Sequence, residues 1–212
     1  MLKNLYIVGA GGFGREVYAW TQDTLDCISE YEFSGFLDDN PNVLEGFEYP
    51  KGVVGSVMDF NPSEPDRFII AIGMPSSKRK ATETLLAKGA RFETIVHPSV
   101  VRGSNVNVAR GAVVCPGVIL SSDSQVGEFA GINMHATLSH DVKVGAFSQL
   151  SSYCDLTGAV EIGEGVFLGS HSSVLPSLKV GDCAFVGAGA VCTENVSERS
   201  TVVGVPAKVV TK

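Results

Sequence analysis

The sequence predicts a small α/β layer followed by a parallel β-solenoid, and three observations carry that expectation. Val108, Val114, Leu120, Val126, Ile132, Leu138, Val144, Leu150, Leu156, Ile162, Leu168, Val174, Val180 and Val186 place fourteen aliphatic residues on one unbroken six-residue beat. Gly127, Gly145, Gly163 and Gly181 each follow an aliphatic beat residue at intervals of 18, so three hexads make one coil. Before about residue 95 the beat is absent, and short apolar runs alternate with helical segments. A hexad cannot bury its apolar face alone, so successive coils must stack and share one core.

Taken in order, Leu5 to Val8 reads as a buried parallel strand, Gly9 to Gly14 as a tight glycine loop, and Arg15 to Asp26 as a helix. Phe33 to Leu37 is a second strand, ending in the turn-forming Asp38-Asp39-Asn40-Pro41. Val53-Val54 is a short third strand and Phe68 to Ile72 a strong buried one. Ser76 and Ser77 are suited to cap a helix running to about Lys88. Phe92 to Val96 leads into the coil, with His97-Pro98 as the linker, giving domains 1–95 and 96–212.

Within the solenoid a small residue stands four places after each aliphatic one, as at Ala112, Ser124, Ala130, Ala136, Ser148, Cys154, Ser172, Ala184 and Ala190. It and the next aliphatic residue are two apart, so both point inward from one short strand, and the second and third positions after each aliphatic residue fall at corners. About 18 residues per coil over 96–192 gives roughly five coils, triangular in section.

Composition narrows the function classes. An apolar content of 44% suits an ordered core, and a net charge of −7 disfavours nucleic acid or an anionic membrane as partner. No stretch approaches the roughly 20 apolar residues that span a bilayer. Met1-Leu2-Lys3-Asn4 runs into a strand without leader chemistry, so a cytoplasmic location is expected. Five cysteines without a CxxC pair indicate neither a disulfide framework nor a zinc knuckle.

Gly9-Ala10-Gly11-Gly12-Phe13-Gly14 matches GxGxxG between strand and helix, where backbone N–H groups can hold phosphates. Gly9, Gly11, Gly12 and Gly14 are therefore candidate nucleotide contacts, and Asp38 or Asp39 a candidate acceptor from a ribose or base. About 95 residues precede the solenoid, which fits one nucleotide better than a dinucleotide.

Tyr6 to Glu16, Gly35-Phe36-Leu37-Asp38-Asp39, Ala71-Ile72-Gly73, the hexads and the tail Val203-Gly204-Val205-Pro206-Ala207-Lys208 together resemble the bacterial nucleotide-sugar acetyltransferases of the hexapeptide-repeat, left-handed β-helix group. That group includes the N-acetyltransferases of UDP- or dTDP-linked 4-amino-4,6-dideoxy sugars, used in O-antigen and polysaccharide biosynthesis, and the sialic acid O-acetyltransferases. The resemblance implies a homotrimer with acetyl-CoA in the cleft between adjacent solenoids and the sugar nucleotide on the N-terminal domain, Gly73 included. It also implies Asn133, Gly158, Gly204, Ala207 and Lys208 around the acetyl-CoA, with the Gly158 N–H as oxyanion donor. No metal is expected. Gln149 and Met74 depart from the pattern, standing where a second histidine and an asparagine are common.

Acetyl transfer from a thioester needs a group to take the nucleophile's proton. His140 falls at a corner, pointing out of the prism, with Asp141 beside it, and Leu138-Ser139-His140-Asp141 matches the corner that carries the family's base. His140 is the expected base in a direct transfer and Asp141 its orienting partner. His97 and His171 read as surface residues and His135 as a neighbour of the site. Cys154 reads as core packing. A hydroxyl acceptor needs the same base and the same donor. A zinc lyase of the γ-carbonic-anhydrase kind would also place two histidines five apart, like His135 and His140. Its third ligand falls at Ser99, with His97 out of register by two, so that set is incomplete.

Overall fold

The protein is described by a computed structural model over residues 2–25 and 30–210. β1 (Lys3–Val8), β2 (Tyr31–Leu37), β3 (Val53–Gly55) and β4 (Asp66–Ile70) form a parallel sheet in the order β3-β2-β1-β4. Buried Leu5, Ile7, Val8, Phe36, Leu37, Phe68, Ile69 and Ile70 explain why these strands read as continuous apolar runs. α1 (Gly12–Leu25) connects β1 to β2, and α2 (Pro75–Ala87) follows β4 and leads to the solenoid.

Three details differ from the sequence expectation. α1 starts at Gly12, inside the glycine loop, because Gly14 lies so close to the Gly9 carbonyl that no side chain fits between them; the expected end at Asp26 lies outside the described residues. α2 starts at Pro75 with Met74 as N-cap and no side-chain cap bond, so Ser76 and Ser77 sit inside the first turn. Pro75 supplies the start signal instead, its fixed φ and missing N–H suiting that position. Strand pairing with the coils already begins at β5 (Ile95–Val96), which makes His97-Pro98 part of the first corner; the Val100 N–H closes it on the His97 carbonyl at 3.0 Å.

From β5 onward the chain winds through two-residue strands that pair in register with the coil 18 residues away, as in Gly131 with Gln149 and Ile132 with Leu150. Three sheets result, so the section is triangular. Every beat residue from Val114 to Val186 is at most 4% exposed, Val108 at the open end is half-buried, and the small residues four places on are buried too. Cys154 is 1% exposed, with its thiol 3.3 Å from the Gly169 carbonyl, so it packs as a small core residue.

The corners have one conformation. The second corner residue is left-handed throughout: Asn105, Asp123, Phe129, His135, Asp141, Phe147, Tyr153, Ala159, His171, Ser177 and Cys183 have φ between 57° and 63°. This is uncommon for L-residues other than Asn, Asp and Gly. The turn bond, as from the Ala136 N–H to the Asn133 carbonyl at 3.2 Å, holds it there. The glycine column has a packing cause as well. At Gly145 a Cβ would overlap the Gly163 carbonyl of the next coil, and at Gly181 it would lie 2.5 Å from the Glu198 amide nitrogen.

One solenoid face carries the α/β layer. Val113 and Cys115 join a core with Leu5, Ile7, Val17 and Phe36, while Phe129 and Phe147 join one with Phe68, Leu85 and Phe92. After the last coil the chain closes with an antiparallel hairpin, Thr201–Val203 against Lys208–Val209. Among the described residues no helix is long and apolar enough to cross a membrane.

Leu150 stacks between Ile132 and Leu168 at 0% exposure, so truncation leaves a cavity that neighbouring coils cannot close. Leu150→Ala is expected to cost about 2–5 kcal/mol. Urea unfolding with an unchanged m-value would show it.

Candidate active site

His140 and Asp141 occupy the corner after the strand Thr137–Leu138. Their side chains are 69% and 61% exposed, and His140 Nδ1 lies 2.8 Å from Asp141 Oδ2. An ionised carboxylate only accepts, so this contact places the proton on Nδ1 and leaves the Nε2 lone pair free. Directly above, one coil on, stands Gly158. A Cβ there would be 2.5 Å from His140 Nε2, so only a glycine lets the imidazole lie against this backbone. The neighbouring Ala159 N–H donates to the His140 carbonyl at 2.9 Å, while the Gly158 N–H has no acceptor among the described residues. A proton acceptor and an amide N–H without an acceptor thus stand on adjacent coils at one corner, and these are the two kinds of group acyl transfer requires.

Asn133 is half-buried and sits at the preceding corner, where its Oδ1 accepts from the Met134 N–H at 2.8 Å. The strand Thr137–Leu138 separates it from His140, so within one chain the two do not meet. Gly204, Ala207 and Lys208 form the turn and return strand of the C-terminal hairpin. The Gly204 carbonyl accepts from the Val191 N–H at 3.0 Å, and the Ala207 N–H donates to the Val191 carbonyl at 2.8 Å, so this turn closes over the last coil.

The glycine loop borders a cleft of about 380 Å³ lined in part by Gly9, Asp38, Asp39, Ile72, Ser77 and Lys80. Asp38 Oδ2 accepts from the Ala10 N–H at 2.8 Å and its Oδ1 from the Asn40 N–H at 2.9 Å; Asp39 Oδ1 accepts from the Val57 N–H at 3.0 Å. Asp38 thus braces the glycine loop and takes one of its N–H groups, while Asp39 ties down the segment after β3. Gly11 and Gly12 remain uncrowded at the start of α1, where first-turn N–H groups lack partners within the helix. Gly73 lies between Ile72, which lines this cleft, and Met74, which lines a second one of about 330 Å³ with Arg79, Phe167 and Phe185.

Other residues fall in unexpected places. His97 is largely covered, its side chain 13% exposed, and bridges Ser99 Oγ at 2.7 Å and Asp23 Oδ2 at 3.1 Å, so it ties the first coil to α1 and is not a free surface group. His135, Tyr153 and His171 stack on one another, with ring centroids 5.1 and 4.9 Å apart. Their spacing of 18 was the signal for this. Gln149 is buried and accepts from the Lys78 ammonium at 2.8 Å, and the same Lys78 reaches the Ser148 carbonyl at 3.3 Å. A buried lysine was not foreseen, since on α2 it reads as a solvated position. Among the described residues no group of three or more His, Cys, Asp or Glu side chains could hold a metal ion.

Residues 4–85 match the PglD N-terminal domain family. The chain is 30% identical over 115 residues to UDP-N-acetylbacillosamine N-acetyltransferase of Bacillus subtilis, a match over 53% of this chain and 51% of that enzyme. It therefore spans about half the length of this curated relative. The acetyltransferase domain of PglB from Neisseria gonorrhoeae, solved with acetyl coenzyme A, superposes with a TM-score of 0.88 at 27% identity, covering 99% of this chain and all, 100%, of that one. PerB from Caulobacter crescentus, solved with CoA and GDP-perosamine, gives 0.87 at 29% identity, covering 100% of this chain and 99% of that one. These likenesses are to acetyltransferases, among them one named for a UDP-linked sugar and one solved with a GDP-linked sugar. The fold expected from the hexads is thus shared, over the full chain, with enzymes of the class the sequence resembles.

Burial pushes Lys78 down to about 7 from its ordinary 10.5. Between those values the unfolded chain binds the proton and the folded one releases it, so this group makes stability rise with pH across the window. Lys78→Met is expected to be less pH-dependent than the parent between pH 7 and about 8.5, below the range where buried thiols act oppositely. Urea midpoints at both pH values check it.

Proposed function

We propose that this protein transfers an acetyl group from acetyl-CoA to the 4-amino nitrogen of a nucleotide-linked 4-amino-4,6-dideoxy sugar. The observation that carries the reading is the corner where His140, oriented by Asp141, lies against the Gly158 backbone. His140 Nε2 takes the amine proton as the nitrogen attacks the thioester carbonyl. The Gly158 N–H donates to the oxyanion, and its collapse expels the CoA thiolate. No acyl-enzyme is needed, and Cys154 is sealed in the core.

Residues 1–95 would hold the sugar nucleotide in the cleft beside Gly9, Asp38 and Asp39, with Gly11, Gly12 and Gly14 shaping the loop at the phosphates. Residues 96–212 would hold acetyl-CoA with Asn133, Gly204, Ala207 and Lys208. Because Asn133 and His140 stand at different corners, a site using both takes one from each of two neighbouring chains, which favours a homotrimer with sites between subunits. A cytoplasmic enzyme of polysaccharide biosynthesis fits these substrates. The base is open: the relatives named above act on or are solved with uridine and guanosine sugar nucleotides, so GDP joins UDP and dTDP as a carrier.

Screening UDP-, dTDP- and GDP-4-amino sugars with acetyl-CoA, read as thiol release, tests the reading; activity only on sugar hydroxyls would replace it with O-acetylation. His140→Ala is expected to lower kcat by about 10²–10⁴ while the protein stays folded. An unchanged rate would remove His140 as base. Gly158→Ala pushes the imidazole off the backbone and should lower kcat more than it raises KM, measured by steady-state kinetics.

A further inference from the structure

The first coil holds a hydroxyl, an imidazole and a carboxylate in hydrogen-bonded series, on a different edge of the prism from His140. At later corners on this edge the second corner residue donates its N–H to a carbonyl of the coil below. His135 donates to Pro116 at 3.2 Å, Tyr153 to Met134 at 3.0 Å and His171 to Ser152 at 3.1 Å. β5 is the last strand of its sheet, so Ser99 has no coil below it. Its N–H donates to His97 Nδ1 instead, at 3.1 Å. A ring nitrogen that accepts carries no proton, so Nε2 holds it and donates to Asp23 Oδ2 at 3.1 Å.

The Ser99 hydroxyl oxygen lies 2.7 Å from the same Nδ1, and because that nitrogen is an acceptor the hydroxyl donates to it. The oxygen in turn accepts from the Gly117 N–H at 3.0 Å, where the pattern of the later corners would use the Pro98 carbonyl. Both contacts favour loss of the hydroxyl proton: the imidazole receives it, and the amide N–H stabilises the oxygen left behind. Ser99 is exposed, while the His97 ring is largely covered and held between its neighbours. Nucleophile, base and orienting carboxylate are recognised by these roles, not by chain order.

The chain carries its own comparison. Pro176-Ser177 repeats the Pro98-Ser99 corner and is exposed too, but the Ser177 N–H donates to the Gly158 carbonyl at 2.9 Å, and Leu175 stands in the hexad where His97 does.

We propose that Ser99 is a second nucleophilic site, which takes an acyl group from an activated ester or thioester to give an O-acylserine. The hydroxyl oxygen attacks the carbonyl carbon as its proton passes to His97 Nδ1. The bond from that carbon to the leaving oxygen or sulfur breaks, and the alcohol or thiol departs with the proton. No oxidation or reduction is involved. Asp23 keeps the Nε2 proton in place, so Nδ1 stays the accepting nitrogen.

The test incubates the full chain with 4-nitrophenyl acetate and follows each serine by peptide mapping and mass spectrometry. Ser99 is expected to gain an acetyl group about 100-fold faster than Ser177 in the same molecules. His97→Gln should bring Ser99 to the rate of Ser177, and Asp23→Asn should slow it about tenfold. Equal rates at Ser99 and Ser177 in the parent overturn the inference. So does a His97→Gln protein that is folded, by circular dichroism and urea midpoint, and is acetylated at Ser99 as fast as the parent. The Asp23 side chain is 63% exposed, so Asp23→Asn decides the matter if His97→Gln does not fold, and an unchanged rate at Ser99 in that variant overturns the inference as well. None of these outcomes bears on the acetyltransferase reading of His140.

Discussion

The in-register pairing of each two-residue strand with the one 18 residues away is the constraint on which the rest depends. It forces every inward side chain to stack on its counterpart from the next coil, so Val114, Ile132, Leu150, Leu168 and Val186 form one column along a single face. A two-residue strand has almost no stability alone. Only repetition makes the ladder cooperative, and a residue of wrong size is felt by the coils on both sides. The same register fixes the outward positions, because each corner residue has its successor directly above.

That vertical neighbour relation is where packing turns into chemistry. The column through Ser122, His140 and Gly158 gives His140 a backbone to lie against, and only glycine leaves the room. Next to it, the left-handed Asp141 turns its carboxylate back to the imidazole at 2.8 Å. A corner residue with φ near 60° is sterically unfavourable for most side chains, and aspartate is among the few that tolerate it. Here the repeat's own turn geometry orients the residue that in turn orients the histidine.

Much of this was legible in the sequence because the hexad is a coordinate system. It sent Cys154 inward and His140 outward, and both lie as the beat predicts. What it could not show was contact between parts of the chain that obey different rules. The start of α1 depends on how closely Gly14 approaches Gly9, and that of α2 on Pro75 outweighing two serines. His97 looked free because its partner Asp23 lies on α1, 74 residues earlier. The ring column is written in the 18-residue spacing of His135, Tyr153 and His171, since corners one coil apart stack.

Lys78 and Gln149 show how the two rule sets meet. Gln149 points out of the prism, yet α2 covers it, so its amide must find a partner inside a buried seam. A lysine amine can donate to the amide oxygen and to the Ser148 carbonyl at once, which satisfies two buried acceptors with one side chain. The arrangement holds α2, and with it the two clefts that its first turns line, at a fixed height on the coils. A histidine at position 149 would be a poorer match, because its ring offers a single acceptor nitrogen to the same amine and leaves no flexible amide to reach the lysine. Gln149 is thus half of a seam that sets where the cleft beside the glycine loop stands relative to the His140 corner.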